Sequence, residues 1–228
     1  MKKIVVPRWI QAYFIFLLSN WLVFGLLRVI FLYVFRGALT PAHYHELWTT
    51  FYIGAKFDFR LAGAVAIPLG LYLTVRAFWH KASYIKKGMC WLYGLLEAAL
   101  LLVYCTDFAH YAYISMRVNA SVFKYSENAL ISAQMMWETY PVVWILLGLL
   151  AWGAVGYFFT KKVLAYAFAR DDKYRWKGNL AWFFAGLLLT GALMFGQISQ
   201  YPLRWSNAYH STNNFICNLT LNPAVNLF

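Results

Sequence analysis

Residues 106–140 read TDFAHYAYISMRVNASVFKYSENALISAQMMWETY, and they lie between two strongly apolar runs, Gly88–Cys105 and Val142–Thr160. Each run has about the length that crosses a bilayer as a helix. Working outward, three more such runs follow: Trp9–Phe35, Leu61–Trp79 and Asn179–Gln197. The chain is 62% hydrophobic and only 12% charged, a balance outside the range of soluble domains. The five runs predict an all-α polytopic membrane protein with five transmembrane helices. The quoted interval carries Asp107, His110, Arg117, Asn119, Lys124, Glu127 and Glu138 among aromatics rather than among Gly, Ser and Pro. That composition predicts an ordered ledge beside the membrane rather than a loose connector. Ile114, Val118 and Val122 recur at i,i+4 spacing within it, as in a segment lying in the interface plane.

Positive charge sets the predicted orientation. Of the 20 Lys and Arg residues, 13 fall on the side of the N-terminus, most densely in Arg76–Lys87 and Lys161–Lys177. The positive-inside rule then puts the N-terminus inside and the C-terminus outside, with interfacial helices on the outer face. The net charge of +12 follows from that topology and from attraction to anionic lipid, and it implies no nucleic-acid partner. The first run is too long for a cleavable signal peptide and lacks a small-residue cleavage site. Cys90, Cys105 and Cys217 have neither zinc nor redox spacing.

Several polar residues stand out against this apolar background. Arg28 lies about 28 Å along helix one from Trp9, near the outer interface, where it either snorkels or meets a lipid phosphate or a carboxylate. Lys56 and Arg60 are i,i+4 neighbours at the mouth of helix two, with Asp58 on a different face. Two cations held together there suit a phosphate, or anchor the helix at the interface. His43 and His45 do not share a helical face and have no third ligand, so no metal is expected. Pro68 lies inside helix two, where a neighbouring helix can satisfy the freed backbone. Glu97 falls near the bilayer midplane, with Asn20, Tyr72 and Thr190 at similar depth. It is either a functional intramembrane carboxyl or a protonated packing residue. Asp58, Glu97, Asp107 and Asn119 are the structural polar candidates. Residues 1–198 form the transmembrane domain. The last segment, 199–228, is rich in Asn and interrupted by Pro202 and Pro223, and it reads as a linker that docks on something.

A set of short motifs carries a resemblance: Gly54-Ala-Lys-Phe-Asp-Phe-Arg60, Asp107-Phe-Ala-His-Tyr-Ala-Tyr113, Arg117-Val-Asn-Ala-Ser121, Ile131-Ser-Ala-Gln134, Trp137-Glu-Thr-Tyr-Pro141, Pro202-Leu-Arg-Trp-Ser206 and Leu219-Thr-Leu-Asn-Pro223. In order and placement they resemble the membrane domain of the lipoteichoic-acid synthase-like phosphoglycerol and phosphoethanolamine transferases, within the alkaline phosphatase/sulfatase superfamily. The resemblance implies a bacterial inner-membrane location and a membrane phospholipid as donor. It also implies an extracytoplasmic catalytic domain holding manganese or zinc and a threonine nucleophile. That domain would begin beyond Phe228, so this chain alone is expected to hold no catalytic residue and no cofactor. Its share of the work would be anchoring and lipid presentation, with Arg28, Lys56, Arg60, Arg117 and Arg204 as head-group phosphate ligands. The alternative is a stand-alone membrane binding or transport protein, with Glu97 and the arginines along a pathway.

Overall fold

The computed structural model describes residues 6–78, 85–120, 134, 137–169 and 176–227. Lys124, Glu127 and the middle of the predicted ledge, 121–133, lie outside the described residues, as do positions 79–84, 135–136 and 170–175. Five helices are long and apolar enough to cross a membrane. They are α1 (Arg8–Val34), α2 (Leu47–Phe78), α3 (Ile85–Ile114), α4 (Val142–Ala167) and α5 (Trp176–Phe195). Among the described residues there is no strand. Successive helices alternate in direction. α1 is flanked by α2 and α4, α3 lies along α4, and α5 packs on α2.

Two helices are longer than their apolar runs. Residues 44–57 do not form a helix of their own. Pro41–Glu46 is a 3-10 turn, and α2 then runs unbroken from Leu47 through Lys56, Asp58 and Arg60. Hydropathy falls at those charges, but no residue there breaks a helix, and Asp58 is turned inward and buried. Likewise α3 passes through Asp107 and ends only at Ile114, so residues 106–114 belong to a spanning helix rather than to a ledge. The backbone then reverses at Ser115, which has φ 59°. Ile114 and Val118 are therefore not on one helical face: Ile114 is exposed and Val118 is buried.

Helix packing follows from small residues and one proline. A Cβ added at Gly153 would stand 2.9 Å from the Gly94 carbonyl oxygen, so α3 and α4 touch backbone to backbone, as small residues allow in membranes. Pro68 has no N–H, and its ring clashes with the preceding turn. Tyr93 of α3 repairs that gap: its hydroxyl donates to Val65 O (2.8 Å) and accepts from Leu69 N–H (2.9 Å). Around this bridge lies the main apolar core, with Phe16, Leu17, Leu69, Leu73 and Leu164 fully buried.

The final segment docks on the bundle as a folded cap. α5 stops at Gly196, whose φ of +78° suits a helix-terminating glycine. After the 3-10 turn Trp205–Ala208 come two short helices, α6 (Asn214–Thr220) and α7 (Pro223–Asn226). Each begins at an asparagine cap: Asn213 accepts from Phe215 N–H, and Asn222 from Ala224 N–H. α6 packs on α1 and α2, and α7 on α2 and α3. This tail covers the end of the bundle toward which α1, α3 and α5 run.

Candidate functional site

Where the tail meets the bundle, four charged side chains are buried together. The Ser115 reversal brings Arg117 back onto its own helix. Its Nη1 donates to Asp107 Oδ2, while Asp107 Oδ1 accepts from Val118 N–H at 3.0 Å. Arg117 Nε donates to the tail carbonyl of Asn218 at 2.9 Å, and the guanidinium carbon stands 3.7 Å from the centre of the Phe31 ring. Burial pushes the Arg117 pKa down from the ordinary arginine value, and the neighbouring Asp107 carboxylate opposes that shift.

Arg28 forms the second pair. It grips Asp58 with two bonds, Nε to Oδ2 at 3.0 Å and Nη2 to Oδ1 at 2.6 Å. It also donates to Gly54 O (3.0 Å) and to the tail carbonyls of Leu219, Thr220 (2.8 Å) and Leu221 (3.3 Å). Gly54 makes room for it, because a Cβ there would stand 2.6 Å from the guanidinium carbon. Asn222 ties the layer together, donating to both Asp58 Oδ1 and the Tyr104 hydroxyl at 2.8 Å. A planar guanidinium with five donors is the group that can serve a carboxylate and several carbonyls at once.

The layer is closed. Arg28, Asp58, Asp107 and Arg117 are each at most 4% exposed; their formal charges cancel, and the space among them has no room for a water-sized guest. Arg28, expected to snorkel or to meet a phosphate or a carboxylate, meets a carboxylate, and Arg117 does the same. What both arginines hold in this arrangement is the tail.

The other three cations are placed differently. Lys56 stands 4.2 Å from the Tyr52 ring centre, and Arg204 4.4 Å from that of Tyr201. Arg60 donates to Met194 O at 3.2 Å, next to the C-terminus of α5, where a cation suits the helix dipole. Arg204 follows Leu203, whose N–H bonds to Phe195 O at that same helix end. Lys56 and Arg60 are half-buried and Arg204 is exposed. The three thus flank the α2–α5–tail side of the bundle, where Trp48, Tyr52, Tyr201 and Trp205 are also exposed. No family profile, curated protein or solved structure matches the chain.

Glu97 lies apart from both groups, buried between α1, α3 and α4 with Asn20 and Trp152 as polar neighbours. Of the residues at similar predicted depth, Asn20 is at Glu97, while Thr190 pairs with Tyr13 instead (3.3 Å). Asn119 is half-buried just beyond Arg117. Among the described residues no group of three or more His, Cys, Asp or Glu could hold a metal ion. Sequence reasoning missed Tyr104 and Asn222. Asn222 had a readable signal: Asn before Pro marks a helix N-cap with proline at the first helical position.

Proposed function

We propose that this chain is the membrane-embedded, lipid-presenting part of a transferase that moves a phosphoglycerol- or phosphoethanolamine-type head group from a membrane phospholipid to an acceptor in the cell envelope. In this reading the protein lies in a bacterial plasma membrane with its N-terminus inside and the tail end outside, as the Lys and Arg distribution favours. The 3-10 turns and the tail then lie at the outer interface. A sulfatase-superfamily catalytic domain carrying manganese or zinc works beside the tail, and the residues described here bind and orient lipid without acting on it.

The observation that carries the reading is the division among the five cations singled out from sequence. Arg28 and Arg117 are fully engaged in fixing the tail. Lys56, Arg60 and Arg204 keep accessible charge on one side of the same end, among exposed Trp and Tyr rings. Aromatic rings beside cations are the chemistry of a phospholipid head-group zone. The tail, pinned through Asn222 to Asp58 and through Asn226 to Val118 O (2.9 Å), gives a catalytic domain a fixed reference point over that zone.

Two measurements test this. Each cation near anionic lipid contributes about 1 kcal/mol, so K56A/R60A/R204A should lower the preference for phosphatidylglycerol over phosphatidylcholine roughly 100-fold, read by native mass spectrometry of lipid-bound protein. R36A, a single exposed cation over Tyr33 at the same end, should lower it only about fivefold. An unchanged preference in the triple variant removes the head-group site. Deleting the coding sequence should slow the loss of head-group label from phospholipid into the envelope in pulse–chase; unchanged turnover removes the transfer role.

A further inference from the structure

A crevice of about 160 Å³ opens between α1, α3 and α4, away from the charge layer, and is lined by Phe16, Asn20, Glu97, Trp152, Gly156 and Phe159, with Val155 at its edge. Its walls are almost entirely apolar apart from the groups around Glu97. Val155 is 55% exposed, so the mouth faces the lipid side of the bundle. Glu97 stands about 18 Å along α3, and Asn20 about 18 Å along α1, which puts both near the middle of the span. Gly156 provides the notch: a Cβ there would lie 2.8 Å from Glu97 Cγ.

The carboxyl has only uncharged polar neighbours, the Asn20 amide and the Trp152 indole. The ion pairs among the described residues, Arg28–Asp58, His45–Glu46 and Arg117–Asp107, do not involve it. A zwitterionic or anionic head group cannot reach this depth without a large desolvation cost, and a carboxyl facing it would add repulsion. A hydroxyl can, because one hydrogen bond recovers most of its smaller cost. An amide and a carboxyl supply that bond from both sides, and the aromatic walls suit an acyl chain.

We propose that this crevice binds an uncharged, hydroxyl-bearing lipid of the diacylglycerol class, its hydroxyl on Glu97 and Asn20 and one chain along Phe16, Val155 and Phe159. Such a lipid also remains after the transfer proposed above: net attack at phosphorus by an acceptor hydroxyl forms a P–O bond to the acceptor and breaks the P–O bond to diacylglycerol, whose oxygen keeps its bond to carbon and takes the acceptor's proton. The crevice would thus receive the membrane by-product of the reaction proposed above, but the binding does not depend on that reaction.

The test uses the full protein in nanodiscs with a photoactivatable diacylglycerol. Crosslinks are expected on peptides of α1, α3 and α4, competed by unlabelled dioleoylglycerol but not by its 3-O-methyl ether. Glu97→Leu should reduce labelling about fivefold, the loss of one hydrogen bond. Glu97→Gln, which keeps a hydrogen-bonding group, should reduce it less. Val155→Trp fills the mouth and leaves the carboxyl in place, and it should reduce labelling as much as Glu97→Leu while Cys90 stays protected from thiol reagents. Equal labelling of wild type and both Leu and Trp variants overturns the proposal, as does equal competition by the methyl ether. Stronger competition by a cationic alkylamine also overturns it. None of these outcomes depends on Lys56, Arg60 or Arg204, so failure here is separate from failure of the head-group site.

Discussion

Replacing Arg28 by alanine should detach the tail while leaving the helices assembled. Arg28 is 4% exposed and holds the Asp58 carboxylate, itself 1% exposed, together with Gly54 O and three tail carbonyls. Without it, a buried carboxylate loses its cation and the Leu219–Leu221 carbonyls lose a shared donor. Breaking a buried pair in this way costs about 3–5 kcal/mol. At about 1.4 kcal/mol per tenfold, that raises the tail-open population roughly 100- to 4,000-fold. Two cysteines report the two regions separately. Cys217 is 3% exposed on α6, its thiol on Ser211 O, and Cys90 is 2% exposed in the main core. In nanodiscs, with Cys105 replaced by alanine, maleimide labelling of Cys217 should accelerate by two to three orders of magnitude, and that of Cys90 should not. Arg28→Lys should fall between wild type and alanine, because its ammonium still faces Asp58 but cannot reproduce the two-bond grip and the carbonyl contacts. Arg28→Met combined with Asp58→Leu should recover much of the loss, since the penalty lies in the unpaired charge. Cys217 labelling within threefold of wild type in the alanine variant would refute the reasoning. So would equal acceleration at Cys90, which would make the tail part of one cooperative unit with the core.

Two further substitutions probe the same physics. Gly54→Ala places a methyl group 2.6 Å from the Arg28 guanidinium carbon; overpacking of this kind costs about 1–3 kcal/mol, and the same labelling assay should show Cys217 opening with Arg28 still present. Tyr93→Phe leaves the Leu69 N–H beside Pro68 without its hydroxyl partner, a loss of about 1–3 kcal/mol. The thermal midpoint of the detergent-solubilised protein should fall, and an unchanged midpoint would mean that the bridge over Pro68 contributes nothing.

The number and placement of the helices were legible because the hydrophobic requirement of a bilayer is written residue by residue, and α1, α4 and α5 start close to where their apolar runs do. The errors in α2 and α3 share one cause. By hydropathy Lys56–Arg60 and Asp107 mark helix ends, because charge is expensive in an apolar span, whereas Asp58 and Asp107 are turned inward to arginines and no residue there breaks the backbone. That the tail docks is legible in its apolar, Asn-rich composition, but its helices are not, because each is too short to show a period. Its asparagines look like loop composition in sequence, although Asn213 and Asn222 are caps.

By itself, then, the sequence determined five apolar helices, the identity of the polar residues worth watching, and the need for Pro68 to be satisfied by a neighbour. Which residues meet was decided only in the folded bundle. Arg28 and Asp58 are 30 positions apart, and Arg28 and Thr220 are 192 apart, so their contact depends on the relative register and rotation of separate helices. Local hydropathy carries no information about either. Register is set by many weak packing contacts acting together, such as the Gly94–Gly153 approach and the Tyr93 bridge. That packing turned two of the five candidate phosphate ligands into the clasp of the tail and left the other three at the surface.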